Sequence, residues 1–383
     1  MTIFEPIIKY NWLMAYNWQL KDWKNFTYAF SEVEDLLFEF AEKSGRIKGL
    51  LEGLSVSEQE ETLIDLLVSE AIKTSEIENE YLSRTDVLSS IRHNLGLEAP
   101  LEIVKDARAK GIGQMMVYVR QNYKKQLTVN TVKDWHKMLF LNVKHINVGE
   151  WRTHEAPMQV ISGRVDNPVV HFEAPPSSIV PQEMNDFIKW FNYSSPIGKT
   201  PLKHAPIRSA IAHIYFESIH PFEDGNGRIG RAISYKALSQ SLGYPLVLSI
   251  SKSIEKSKSD YYSALKEGQK SNEITSWILY FLKTMIMAQK QAEELIQFTL
   301  KKTKFFDHFS DNINQRQLKS LQKMFSKGND GFEGGMTSRK HMSINKISKA
   351  TATRDLMNLE KIGAFKVEGQ ARNTKYYLNL DFS

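Results

Sequence analysis

The chain has 383 residues, 42% of them hydrophobic and 25% charged, a composition that suits two or three globular domains. It contains no cysteine, which excludes disulfides, thiol nucleophiles and cysteine zinc sites and fits a reducing compartment. The formal charge of +6 is uneven, because from Lys301 onward 16 Lys and Arg stand against 8 Asp and Glu. A basic terminal module invites an anionic partner such as DNA.

The opening stretch, "MTIFEPIIKYNWLMAYNW", lacks the basic, apolar and small-residue order of a signal peptide, so a cytoplasmic location is expected. Ser57 and Glu60 have capping-box spacing, and Leu63, Leu66, Leu67 and Ile72 follow at helical spacing. That helix is expected to run to about 77–79, and "YLSRTD" restarts another. "TVKDWHKMLFLN" and "VPQEMNDFIKWFN" are amphipathic, the second with Pro181 in its first turn, where the missing N–H costs nothing. Between them, "EWRTHEAPMQVISGRVDNPVVHF" predicts a β-hairpin around Gly163 and a turn at Asp166–Asn167–Pro168.

"PLKHAPIRSAIAHIYFESIH" predicts a central apolar helix, and "GRAISYKALSQSLG" another, stopped by Gly243. The most apolar run starts at Ile274 and is broken by Lys283, which predicts a buried helix with no membrane span. It belongs to one long helix leading out of the main body. At the C-terminus a helix, a helix–turn–helix in "SINKISKATATRDLMNLEKIG" and two strands in "AFKVEGQARNTKYYLNL" have the order of a winged helix. The chain is therefore read as mainly α, with divisions at 1–100, 101–300 and 301–383.

The chemistry concentrates in "HPFEDGNGRIGR", residues 220–231. Gly225 and Gly227 flank Asn226 just before a helix, where backbone N–H groups can make an anion hole suited to phosphate. Arg228 and Arg231 are three apart on one helical face, and two forked cations suit a polyphosphate. Asp224 or Glu223 could hold Mg²⁺ bridging phosphate oxygens. His220, at the end of the preceding helix, could take a proton from an attacking hydroxyl. The residues point to phosphoryl or nucleotidyl transfer, and no GxxxxGK[ST] loop or kinase motif set occurs.

This stretch resembles the Fic family signature, HxFx[DE]GNGRxxR, with every fixed position matched. "GEWR" at 149–152, "HFEAPPSSIVPQEMNDFIKWFN" and "AHIYFESIHPF" resemble Fic surroundings, extending the likeness over about 60–290. The resemblance implies a Fic-type helical bundle with a hairpin flap at Thr153–Phe172 that aligns a target segment by strand pairing. It implies an adenylyltransferase that moves AMP from ATP to a Ser, Thr or Tyr hydroxyl of a target protein. His220 would be the general base, and Asp224 would bind Mg²⁺. Gly225, Asn226 and Gly227 would form the anion hole, with Asn226 adding a side-chain donor. Arg228 and Arg231 would hold the β- and γ-phosphates.

"KTSEIENEYL" is similar to the family's inhibitory motif, [ST]xxxE[GN], through Thr74, Glu78 and Asn79. The resemblance implies that Glu78 pairs with Arg231 and takes the cation meant for the γ-phosphate. Three rivals remain beside this reading. The site could remove AMP, with Glu78 positioning water. It could transfer another phosphate-containing group. The protein could act as a DNA-binding regulator through its winged helix, although such modules also dock proteins or dimerise, so a second copy of the chain is a further candidate partner. Tyr261 and Tyr262 are candidates for a base pocket, with core packing as the alternative.

Overall fold

A computed structural model describes residues 16–97, 104–164, 167–328 and 331–382. The fold is mainly helical. Its elements form two compact units, one made of residues up to 45 with 63–289, the other of 46–62 with 290–383.

In the first unit the helices are α1 (Phe30–Glu52), α2 (Val56–Ile77), α3 (Arg84–Asn94), α4 (Ala107–Gln121) and α5 (Val129–Leu139). The antiparallel pair β1 (Gln159–Arg164) and β2 (Asn167–Glu173) follows. Then come α6 (Val180–Tyr193), α7 (Ala205–Ile219), α8 (Asn226–Leu242), α9 (Ile250–Lys256), α10 (Lys258–Gly268) and α11 (Thr275–Phe309). α1, α2 and α11 contribute residues to both units.

The helix read as central is so: all fifteen residues of α7 are buried. A helix enclosed on every side must satisfy its few polar groups internally. Arg208 does this by bonding the carbonyls of Phe191 and Ala237, and Ser209 by bonding Ser234 on α8. Pro206 occupies the first turn of α7, where no N–H is needed. Gly243 closes α8 at φ 80°, a left-handed position natural to glycine.

Two details differ from the sequence reading. The box at the start of α2 uses Ser55 and Glu58, whose side chains bond each other and each other's backbone N–H, so the helix starts at Val56. Both pairs have the same S-x-x-E spacing, and the structure uses the more N-terminal one. In the hairpin, register pairs Arg164 with Asn167, so Asn167 and Pro168 lie in β2; Asp166 lies outside the described residues.

The second unit carries α12 (Gln315–Phe325), α13 (Ser338–Asn345), α14 (Lys349–Lys361), β3 (Phe365–Glu368) and β4 (Lys375–Leu378). Its core joins Phe305 and Phe309 of α11 to Leu321, Leu356, Leu359 and Phe365. Asn314, Thr337 and Ser348 each cap the helix that follows them. Asp355 on α14 accepts two bonds from Arg316 and one from Asn314, which ties α12 to α14. Among the described residues no helix is long and apolar enough to cross a membrane.

One contact positions the helix that supports the site. A Cβ on Gly111 of α4 would lie far inside van der Waals contact with the Met138 carbonyl of α5. Gly111→Ala is expected to destabilise the protein by about 1–3 kcal/mol, through forced separation of these helices. Denaturant unfolding of the variant and the parent measures this directly.

Candidate active site

The helix-to-helix turn between α7 and α8 carries the motif. His220 caps α7 in a left-handed conformation, φ 50°. A non-glycine residue holds that conformation only when its surroundings fix it. Arg152 supplies the fixing: its buried guanidinium donates to the carbonyls of His220 at 2.8 Å, Ile219 at 3.3 Å and Pro175 at 2.6 Å, and to Ser177 Oγ at 2.9 Å. The Arg152 N–H adds a bond to the Pro221 carbonyl. Burial pulls this guanidinium down to about 10.

The loop itself is pinned from inside. The Asn226 amide, expected to point a donor at an anion, is bonded at both ends to the Phe222 backbone, accepting from its N–H and donating to its carbonyl. Asn226 therefore shapes the loop, and the open donors at the start of α8 are backbone N–H groups. Gly225 sits at φ 80°, with the Phe140 ring where its Cβ would be.

His136 of α5 supports the loop from below, stacked on Phe222 with ring centroids 4.1 Å apart. Its Nδ1 accepts from the Gly149 N–H, so the proton lies on Nε2, which donates to the Asp224 carbonyl at 3.2 Å. Burial pushes His136 down to about 4, which keeps it neutral. Neither Arg152 nor His136 stands out in the sequence; apart from Ser177 Oγ their hydrogen-bond partners are backbone groups, which no residue spacing reveals.

The acids divide their tasks. Both carboxylate oxygens of Glu223 accept from Asn147. The side chain of Asp224 is 59% exposed and engages the Gly225 N–H through one oxygen, with Arg228 3.7 Å away. Magnesium uses one or two carboxylates together with substrate phosphates and water, so an exposed Asp224 fits that ion better than Glu223, whose oxygens are taken by Asn147. Among the described residues no cluster of three or more metal-ligating side chains exists.

Both arginines are buried and each is paired. Arg231 donates to Thr74 Oγ1 at 2.7 Å, to the Thr74 carbonyl at 2.8 Å and to Glu78 Oε1 at 2.8 Å. Arg228 donates to Glu80 Oε2 at 2.7 Å and lies over the Phe140 ring. Burial pushes the Glu78 carboxyl up, but Arg231 more than offsets this and holds it below the usual range. Burial lowers Arg231, and Glu78 outweighs it and raises the guanidinium above its ordinary value.

The turn after α2 explains how these acids are aimed. Asn79 is left-handed at φ 61°, its N–H bonds the Glu76 carbonyl, and the Glu80 N–H bonds the Ser75 carbonyl at 2.9 Å. This is a Schellman end, which favours Gly or Asn at the left-handed position. Lys258 donates to the Asn79 side chain, and Tyr262 lies against Glu78. Of three alternate glutamates, Glu76 pairs with Lys73, Glu78 with Arg231 and Glu80 with Arg228. Tyr261 is buried and bonded to His213, whereas Tyr262 is 39% exposed.

Beside His220 lies a buried acid that was not expected. Glu217 Oε2 is 3.7 Å from His220 Nδ1, and its carboxyl fills the space a Cβ on Gly230 would need. Burial pushes Glu217 up to about 8. Burial first, then Arg152, lowers His220 to about 4, leaving a neutral imidazole with a free lone pair at neutral pH. The arrangement thus offers a neutral base, two forked cations and a helix start, with both cations occupied by carboxylates of one turn.

Residues 126–238 match the profile of the Fic/DOC family, and residues 16–97 match a domain of unknown function (DUF4172). Protein adenylyltransferase fic-1 of Caenorhabditis elegans is 26% identical over 140 residues, 37% of this chain and 24% of its own length. Protein adenylyltransferase Fic of Aedes aegypti is 30% identical over 167 residues, 43% of this chain and 28% of its own. The chain thus spans about a quarter of the length of these relatives. A Fic family protein from Desulfovibrio desulfuricans shares the fold, with a TM-score of 0.54 and 20% identity, covering 91% of this chain and 95% of the other. A Fic domain-containing signalling protein from Bacteroides thetaiotaomicron gives 0.51 and 17%, covering 70% and 97%.

The raised acid has a consequence for stability. Unfolded, Glu217 loses its proton near 4.5; folded, it keeps it to about 8. Between these values the folded state binds more protons, so this group's contribution falls as pH rises and levels off above 8. Glu217→Gln is expected to gain stability relative to the parent across that window. Thermal unfolding at pH 5, 7 and 9 checks the sign.

Proposed function

With residues 126–238 forming a Fic/DOC family domain, we propose that the protein is an adenylyltransferase that moves AMP from ATP to a hydroxyl of a target protein. The observation that carries this reading is the pair of buried arginines at the start of α8, beside a neutral His220. The named activity of the partial relatives agrees with it.

In this reading Arg228 and Arg231 hold the terminal phosphates, and the first-turn N–H groups of α8 hold the phosphate oxygens. His220 accepts the proton of the incoming hydroxyl as the oxygen bonds the α-phosphorus. The bond to the β-phosphate oxygen breaks and pyrophosphate leaves. A magnesium ion held by Asp224 would neutralise phosphate charge. Arg152 and His136 keep the base and the loop in register, and preorganisation of this kind carries much of the rate. The β1–β2 hairpin would align the target chain by strand pairing.

Glu78 acts as a brake. A productive nucleotide must replace its carboxylate on Arg231, and breaking a partly buried Arg–carboxylate pair costs a few kcal/mol, roughly 3–5 by analogy with buried pairs. Running the site in reverse, to remove AMP, uses the same groups and is read out by the same variants on a modified target.

A second reading concerns the other unit, for which we propose a winged-helix role at DNA. α14 buries Ala352, Leu356 and Leu359 and leaves Lys349 and Arg354 exposed. Cations on the open face of such a helix suit phosphates. Lys349→Glu with Arg354→Glu is expected to abolish a salt-dependent gel shift of the full chain; an unchanged shift rejects this reading.

For the enzyme, Glu78→Gly is expected to raise self-labelling from α-labelled ATP, and His220→Ala in that background to abolish it. Equal labelling in the parent and Glu78→Gly would sink the brake. No labelling in any variant, with any added lysate, would sink the activity.

A further inference from the structure

The C-terminal end of α2 does more than place one carboxylate. Its Schellman turn brings two acids, separated by one residue, onto two different guanidiniums. Arg228 is only 3% exposed at its side chain, and among the described residues the Glu80 carboxylate at 2.7 Å is its nearest ion partner, with Asp224 at 3.7 Å. Glu80 is 25% exposed, so solvent can receive it when it leaves. Arg231 is equally buried and has its own partner in Glu78. On each arginine one nitrogen, Nε of Arg228 and Nη1 of Arg231, is buried without a hydrogen-bond partner. Buried donors in that state await an acceptor.

We propose that Glu80 is a second plug, specific to Arg228 and separate from the Glu78 plug on Arg231. The proposal rests on the polyphosphate reading of the site for its physiological ligand, but not for the plug itself. Two carboxylates that hold two cations are not both displaced by a single phosphate group. A ligand that brings a phosphate to Arg231 alone leaves Glu80 in place, and Arg228 stays out of reach. Full occupancy requires one phosphate group for each arginine, so the turn makes the site selective for chain length. Removing Glu78 alone therefore opens half of the cation pair.

The two plugs share a hinge. Glu78 and Glu80 flank Asn79, whose left-handed backbone sets their directions and whose side chain is held by Lys258. The turn can release both acids together if it unwinds, or one at a time if a side chain swings. Additivity between the two acids separates these cases.

The test is calorimetry on the full chain with three ligands: inorganic tripolyphosphate, Mg·ATP and Mg·ADP. The variants are Glu80→Gln, Glu78→Gln and the double. Glu80→Gln and Glu78→Gln are each expected to tighten tripolyphosphate about tenfold, within the usual span of a coupling between sites. The two gains multiply in the double variant. Glu80→Gln is expected to tighten ADP and ATP alike, whereas Glu78→Gln tightens ATP and leaves ADP within about twofold.

Affinity of Glu80→Gln for tripolyphosphate within about twofold of the parent overturns the second plug. So does a gain that disappears once Glu78 is Gln, because one plug would then account for both arginines. Glu80→Asp keeps the charge and shortens the reach, and it gives the same readout should Glu80→Gln fail to fold. Tighter tripolyphosphate with no nucleotide bound by any variant keeps the plug and rejects the nucleotide reading, so the two ideas fail separately.

Discussion

Two guanidiniums buried side by side at the start of one helix are the constraint from which the rest of the site follows. A buried cation without a partner is costly, and two close together are worse. The chain answers with the end of α2, whose turn delivers Glu78 to Arg231 and Glu80 to Arg228. The resting protein is therefore electrically complete without a ligand. In the proposed function, a phosphate that enters must match what the carboxylates already give, which makes occupancy a competition between a tethered acid and a dissolved one.

The same turn connects a backbone conformation to chemistry. Asn79 holds a positive φ, and the acids on either side of it each reach an arginine. Gly227 and Gly230 leave room for two carboxyls, those of Glu78 and Glu217. The glycines of the motif thus serve side chains from elsewhere as much as any phosphate. Glu217 is kept neutral by burial, so it does not contest Arg231 with Glu78. Two acids near one cation take different protonation states because one reaches the guanidinium and the other is enclosed.

Sequence reading recovered much of this and failed in an instructive way. Helices with clear apolar spacing and an end signal in the sequence, such as α6 with Pro181 in its first turn and α8 with Gly243 at its close, were legible from local pattern. The pairing of Glu78 with Arg231 followed from a resemblance, since 153 residues separate them. Glu80 was passed over because a motif scores spacing, and spacing says nothing about which arginine a neighbouring acid can reach. Asn226 was read as a ligand donor, yet its amide closes the loop on Phe222. An amide beside two glycines has both options, and only the three-dimensional loop chooses. Arg152 and His136 stayed hidden for the same reason, as all their hydrogen-bond partners but Ser177 Oγ are main-chain atoms.

Arg152 merits a mechanical view. One planar group holds the carbonyl of His220 and also those of Pro175 and, through Ser177, the segment that leaves β2. The base and the root of the hairpin are thus bolted to a single plate. In the proposed function, a push on the hairpin by an arriving target chain would be passed through this guanidinium to the residue that carries the imidazole, and loosening that plate would misalign the target hydroxyl and the proton acceptor in the same stroke.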